Sequence, residues 1–105
     1  MRLKPDEYLD EIGSNPTAGE VWWCDGRALP LDDGGKVRPV LVTGLDASHA
    51  TVRPLTTRKP RHDAAAVDHR AGLSWLTDTV ATVPLSALIG SLGAWKGFEA
   101  WNRKR

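Results

Sequence analysis

The sequence predicts a mainly β fold, a β-rich α+β arrangement in which about five strands and short helices form a small, partly open barrel. Two β-branched runs, Val40–Thr43 and Ala50–Leu55, are separated by Gly44-Leu45-Asp46-Ala47-Ser48, which is typical of a β-hairpin. The 105 residues, 41% hydrophobic and 26% charged, suit one globular domain with one core. With no apolar run of about 20 residues and no signal-peptide pattern, we expect a cytoplasmic protein.

The first strand is expected after an N-terminal extension, so residues 1–18 are separated from a barrel domain of residues 19–105. Pro5–Ile12 has proline and acids in its first turn and apolar residues at helical spacing, which predicts a short amphipathic helix. Glu20–Cys24 is apolar on both faces and predicts a central first strand. Its cysteine has no partner for an intrachain disulfide, and we expect a buried, inert thiol.

The predicted hairpin begins with the pair Arg38-Pro39. Proline lacks an N–H and suits the first residue of a strand or an edge, which puts Arg38 at the mouth of the sheet. Thr56 closes the second strand, so the two side chains are expected near each other at the rim. The preceding ten-residue loop, Gly26–Gly35, is long enough to suggest function or mobility.

The second half of the chain is less regular. Ala64–His69 fits either a fourth strand or a helical turn, because its alanines favour helix. Thr79–Val83 predicts a fifth strand. A short helix is then expected over Ala87–Leu92, and Ala94–Arg105 carries its aromatic residues at roughly helical spacing.

The charges are unevenly distributed along the chain. Residues 1–35 contain three Lys and Arg against eight Asp and Glu, whereas residues 36–105 contain eleven against five. This asymmetry is what a domain with one phosphate-facing side would show, and it is equally compatible with an ordinary solvated surface.

Three motifs occur in a recognisable order. They are Gly19-Glu20-Val21-Trp22-Trp23, then Lys36-Val37-Arg38-Pro39-Val40-Leu41-Val42 after a polar loop, then Pro54-Leu55-Thr56-Thr57. In this order they resemble the MazF/PemK toxins, the ribonucleases of bacterial toxin-antitoxin pairs. The resemblance covers Gly19 to Thr57 clearly and weakens towards Leu88.

The resemblance implies an SH3-like, partly open barrel that acts as a homodimer. It further implies a metal-independent endoribonuclease that cleaves single-stranded RNA, needs no cofactor and is neutralised by a small antitoxin protein. In the resembled family, the loop that corresponds to Gly26–Gly35 covers the RNA groove.

Three residues are the catalytic candidates that the resemblance implies. Arg38 offers a permanently charged fork of donors that can hold a scissile phosphate and stabilise its extra charge. Thr56 matches a strand-end threonine used beside that arginine, and its hydroxyl can align a phosphoryl oxygen. Asp78 matches a carboxylate that can assist the attacking 2′-hydroxyl. Without the resemblance, Arg38 at a strand start more often packs its stem or forms an ion pair.

Further residues are assigned to RNA binding. Lys36, Arg53 and Arg58 would attract the phosphate backbone. Thr57 could substitute for its neighbouring threonine, and Glu20 belongs to the first motif. The histidines are chemically suited to proton transfer, but we assign none of them to the site.

The chain also departs from the resembled family. An arginine and an aspartate of the family are replaced by Ala81 and Pro84. The alternative is therefore a catalytically degenerate barrel that binds RNA or a protein, as CcdB-like toxins of similar fold bind DNA gyrase. We expect Trp95 and Trp101 to contribute to such a partner surface.

Overall fold

Seven antiparallel strands dominate the structure, a computed structural model that describes residues 15–32 and 34–105. The strands are β1 (Glu20–Cys24), β2 (Arg38–Leu45), β3 (His49–Thr56), β4 (Ala66–His69), β5 (Gly72–Leu76), β6 (Ala81–Pro84) and β7 (Leu88–Ala94). Short 3-10 helices cover Gly26–Ala28 and Leu85–Ala87, and helix α1 covers Phe98–Arg103. The prediction of a mainly β fold is confirmed.

Strands β1, β2 and β3 lie side by side and are buried on both faces. Trp22 pairs with Val40 on one face, and Val21 pairs with Leu41 on the other. Each face supports its own apolar cluster. Because both sets of alternating side chains are removed from water, these strands are continuous hydrophobic runs. The predicted first strand is confirmed with the same bounds, and the predicted hairpin is confirmed with longer strands.

The sheet curls because β3 has two partners along one edge. Its first half, His49–Val52, pairs with β6, whereas Leu55 and Thr56 pair with β5. The hairpin of β4 and β5 then folds back far enough for the Arg70 N–H to donate to the Leu92 carbonyl oxygen in β7 at 3.1 Å. The two ends of the strand order therefore meet, which produces a barrel-like shape.

The predicted count of about five strands is too low, because residues 72–84 contain two strands and a further strand, β7, follows them. Gly72–Leu76 is β5, and the predicted strand Thr79–Val83 is shifted to Ala81–Pro84. Within β5, Leu73 is exposed while Ser74 is buried, so the strand lacks the usual apolar-in, polar-out alternation. The open choice for Ala64–His69 is settled as a strand over its last four residues.

The predicted helix over Ala87–Leu92 is also wrong. This segment ends a 3-10 turn and continues as β7, paired with β1. Leu88, Gly90 and Leu92 are buried while Ile89 is exposed, the alternation of a strand. Tertiary pairing with β1 thus overrides the helical preference of alanine and leucine.

The C-terminal aromatic spacing does correspond to a helix, α1. Trp95, Phe98 and Trp101 pack against the apolar cluster that contains Val21 and Leu41. They are half-buried, so they contribute to the core as well as to the surface. The helix predicted for Pro5–Ile12 lies outside the described residues. Within the described part of the chain, no helix is long and apolar enough to cross a membrane.

Gly26, at the start of the Gly26–Gly35 loop, allows the backbone to approach Lys36, just beyond the end of the loop. Its replacement tests this close packing. A Cβ on Gly26 would lie 1.9 Å from the Lys36 carbonyl oxygen. We expect Gly26→Ala to lower the thermal midpoint of unfolding by about 10 °C, since backbone must move. Circular dichroism during heating measures it.

Gly44→Ala is the matched control. A Cβ there meets only the Thr51 side chain at 3.8 Å, an ordinary contact. A Gly26→Ala midpoint within about 2 °C of the Gly44→Ala value would contradict the close approach.

Candidate phosphate-binding cavity

A cavity of about 310 Å³ opens between the start of β2, the end of β3 and the β4–β5 hairpin. We call it the Arg38 cavity. It is lined by Trp23, Lys36, Val37, Arg38, Pro39, Leu55, Thr57, His69, Ala71, Leu73 and Ser74. Apolar walls with a few convergent polar groups are typical of binding sites.

Arg38 is held at this position by the strand ladders. It is the first residue of β2 and pairs with Cys24 of β1. Its Nη1 donates to the Leu55 carbonyl oxygen at 3.4 Å, a long hydrogen bond that spans to the end of β3. This hydrogen bond holds the half-buried Arg38 side chain next to Leu55, the residue that precedes Thr56.

Two other predicted residues, Lys36 and Thr57, line the same cavity. Thr56 itself is the last residue of β3, and its Oγ1 accepts a hydrogen bond from the Arg58 N–H at 3.2 Å. That bond is a local turn contact. Of the two neighbouring threonines, Thr57 is the one that lines the cavity.

Asp78 does not line the Arg38 cavity. Its Oδ2 lies 2.9 Å from Arg61 Nη1, and both side chains are exposed. The adjacent Thr77 donates from Oγ1 to the Pro54 carbonyl oxygen at 2.8 Å. Asp78 therefore lies beside the segment of β3 at Pro54, one residue before Leu55 of the cavity wall, and does not itself line the cavity.

The remaining predicted residues are dispersed. Glu20 lies at the other end of β1 from the residue that pairs with Arg38, and Oε1 accepts from Thr17 N at 2.7 Å and Trp22 Nε1 at 3.0 Å. Its carboxylate therefore anchors the start of β1. Arg58 is exposed just beyond β3, and Arg53 Nη1 donates to the Thr77 carbonyl oxygen at 3.4 Å.

The cavity also contains a His69–Ser74 pair that was not assigned to the site from sequence. His69 Nε2 and Ser74 Oγ are 2.9 Å apart, and the Ala71 N–H donates to Nδ1 at 3.2 Å. Since Nδ1 accepts, the neutral ring carries its proton on Nε2 and donates it to Ser74. In this arrangement His69 does not activate the serine as a nucleophile.

Burial lowers the pKa of His69, and the nearby Asp68 charge opposes this effect only in part. The ring is therefore neutral at pH 7. The sequence signal for this pair was the tight His69-to-Gly72 hairpin, which places residues 69 and 74 on adjacent strands. Because β5 was not predicted as a strand, the proximity of His69 and Ser74 was not predicted either.

An apolar surface adjoins the Arg38 cavity and shares two of its residues. Trp23, Val37, Ile89 and Gly90 enclose a shallow depression of about 570 Å³. Val37 and Ile89 are more than half exposed. Exposed apolar side chains grouped in this way are typical of surfaces that contact a partner.

The Cys24 thiol is buried and protonated at neutral pH. Burial raises the pKa of the Cys24 thiol to about 11, and the neighbouring Asp25 charge adds to the effect. The expectation of a buried thiol is confirmed. Across residues 15–32 and 34–105, no three His, Cys, Asp or Glu side chains come together as potential metal ligands.

Comparison with known proteins identifies no relative: no protein-family model matches the chain, and no curated protein or solved structure is significantly similar to it.

The lowered pKa of His69 predicts how stability depends on pH. The unfolded state, with a histidine pKa of about 6.5, binds a proton at higher pH than the folded state does. The contribution of His69 to the free energy of unfolding is therefore present above about pH 6.5 and is lost as the pH falls through the lower pKa of the folded state. We expect urea unfolding to show that the free energy of unfolding decreases less from pH 7 to pH 5 in His69→Gln than in the wild type.

His62→Gln is the control, because His62 is exposed. This variant should retain the pH dependence of the wild type. Identical pH dependence in His69→Gln and the wild type would show that the pKa of His69 is not lowered in the folded state.

Proposed function

We propose that this protein is a metal-independent endoribonuclease that acts on single-stranded RNA, as its resemblance to the MazF/PemK toxins implies. The observation that carries the proposal is the Arg38 cavity, where a half-buried guanidinium shares one opening with Lys36 and Thr57. The curled, mainly β sheet is compatible with the SH3-like barrel of that family.

In the proposed reaction, the RNA phosphate occupies the Arg38 cavity. The ribose 2′-oxygen attacks the adjacent phosphorus, the bond to the 5′-oxygen breaks, and the products carry a 2′,3′-cyclic phosphate and a 5′-hydroxyl. The 2′-hydroxyl proton passes to a base, and the departing 5′-oxygen gains a proton. Arg38 neutralises the charge that builds up on the phosphate, and Thr57 or Thr56 donates to a phosphoryl oxygen.

Asp78 is the proposed group beside the 2′-hydroxyl, and its geometry is the least favourable part of this mechanism. Its carboxylate is paired with Arg61 and lies outside the cavity. RNA that extends from the cavity along β3 would be needed to bring a ribose to it. Asp78→Asn tests this role by its effect on the cleavage rate.

We further propose a cytoplasmic homodimer that a small antitoxin neutralises. The exposed Val37 and Ile89 beside Trp23 support a protein contact, because they form an apolar depression next to the Arg38 cavity. A partner seated there would also restrict access to the cavity.

The second candidate is a catalytically degenerate barrel that binds RNA or a protein such as DNA gyrase. Two catalytic candidates, Thr56 and Asp78, are engaged in local contacts, which favours this reading. Ala81 and Pro84, which replace the family's arginine and aspartate, pair with β3 as part of β6.

Arg38→Ala distinguishes the two candidates. We expect the wild type, with EDTA present, to cut mixed-sequence single-stranded RNA at discrete sites with cyclic phosphate ends. Loss of the guanidinium should lower the rate by about 100- to 1,000-fold, the effect of removing one donor to a transition-state oxyanion. End mapping and rate measurements provide the readout.

Arg103→Ala removes an exposed arginine on α1 and should cut at nearly the wild-type rate. Thermal unfolding checks that both variants fold. Undiminished cleavage by Arg38→Ala would eliminate this mechanism, and intact RNA with folded wild-type protein would favour the binding module.

A further inference from the structure

A second group of cations gathers around Trp101, outside the Arg38 cavity. The Arg53 guanidinium carbon lies 5.0 Å from the Trp101 ring centroid, and the Arg105 carbon lies 4.6 Å from it. Arg53 belongs to β3 and Trp101 to α1, so tertiary packing brings both guanidinium groups to one indole. We call Arg53, Arg61, Trp101 and Arg105 the Trp101 cluster.

The cluster contains more positive charge than its own carboxylates neutralise. Arg61 is paired with Asp78 at 2.9 Å and with Asp63 at 3.2 Å. In the part of the chain that the structure describes, no ion pair joins a carboxylate to Arg53 or Arg105. Two of the three arginines therefore have charge available for an anion.

These charges interact with one another. The pKa of Arg53 is lowered, first by burial and then by the repulsion of Arg105, while Asp78 acts in the opposite direction and Arg61 adds to the lowering. Repulsion of this kind is relieved when an anion binds between the cations. Guanidinium groups hold phosphate oxygens through paired donors, so phosphate is a suitable anion.

A third cation–aromatic pair lies at the end of β3. Lys59 Nζ is 4.9 Å from the Trp75 ring centroid, and Trp75 pairs with Thr56 at the end of β3. Arg53 and Thr56 are three residues apart, or roughly 10 Å along the strand. Basic side chains beside aromatic rings are typical of proteins that bind single-stranded nucleic acid, and here the two groups lie on opposite faces of β3.

We propose that the Trp101 cluster is a second binding site for the phosphate backbone of single-stranded RNA, reached along β3 from the Arg38 cavity. The identity of the ligand rests on the proposed function, whereas the site rests on the arginines around Trp101. A strand that spans both sites binds more tightly than one that reaches only the cavity, because the second contact is intramolecular.

The test measures binding separately from cleavage. A fluorescent RNA of about 12 nucleotides, within the range that one small domain can contact, carries 2′-O-methyl groups throughout and so cannot be cut by 2′-hydroxyl attack. Fluorescence anisotropy at several salt concentrations gives the dissociation constant and its salt dependence for the full chain and its variants.

Arg53→Gln and Arg105→Gln should each weaken binding about tenfold, the effect of losing one charge-assisted contact. Each should also reduce the slope of log affinity against log salt by about 0.7, the value for one phosphate contact on a single strand. Asp78→Asn should do the reverse and tighten binding, since it removes a negative charge and releases Arg61.

Arg103→Gln is the matched control, with the same loss of charge two residues away, at the last residue of α1, but no stacking on Trp101. It should weaken binding less than about twofold, the effect of an exposed charge at a distance. Equal weakening by Arg103→Gln and Arg105→Gln, or weaker binding by Asp78→Asn, would overturn the proposal. Arg105 and Asp78 are exposed, so their variants should fold. The Arg105→Gln and Asp78→Asn measurements therefore test the proposal even if Arg53→Gln unfolds.

The two proposals fail in different ways. If the unmodified RNA stays intact but the modified RNA binds with the expected variant effects, the ribonuclease proposal fails and the second site stands. If RNA is cut in an Arg38-dependent manner while the cluster variants bind normally, the second site fails alone.

Discussion

The division of one edge of β3 between two partners is the constraint on which the rest of the structure depends. One edge of this strand is paired with β2, and the other is divided between β6 and β5. As a result, β6 closes over one apolar cluster and the β4–β5 hairpin closes over the other. The end of β3 thereby becomes the wall of the Arg38 cavity, and its middle presents Arg53 to Trp101.

This arrangement explains why the charged groups occur where they do. At a point where strands diverge, backbone carbonyl groups lack full ladder partners, and side chains such as Arg38 and Arg53 donate to them. The same divergence leaves room for a ligand. A cavity with arginine, lysine and threonine on apolar walls suits a phosphate, whereas the exposed Val37 and Ile89 beside it suit a protein. For the proposed ribonuclease, catalysis requires in addition a group that takes up the 2′-hydroxyl proton.

The parts of the fold that could be predicted are those whose side chains follow a simple period. Glu20–Cys24 and the β2–β3 hairpin have β-branched and aromatic residues bounded by turn residues, and they form the expected strands. In contrast, β5 buries Ser74 and exposes Leu73, and β7 has only one β-branched residue, Ile89, among leucine, glycine, serine and alanine. Neither has a local preference for strand, so their conformation depends on pairing with distant partners.

The sequence by itself determined the β-rich class, the central strands, the position of Arg38 at the start of β2 and the burial of Cys24, because each follows from local pattern and from the chemistry of one residue. Tertiary structure alone decided which polar groups meet. It joined Arg38 to Lys36, Thr57 and His69, placed Asp78 beside Arg61, and stacked two arginines on Trp101. Such groupings arise from the register and pairing of the strands. These depend on contacts between residues far apart in the chain, which local periodicity does not encode.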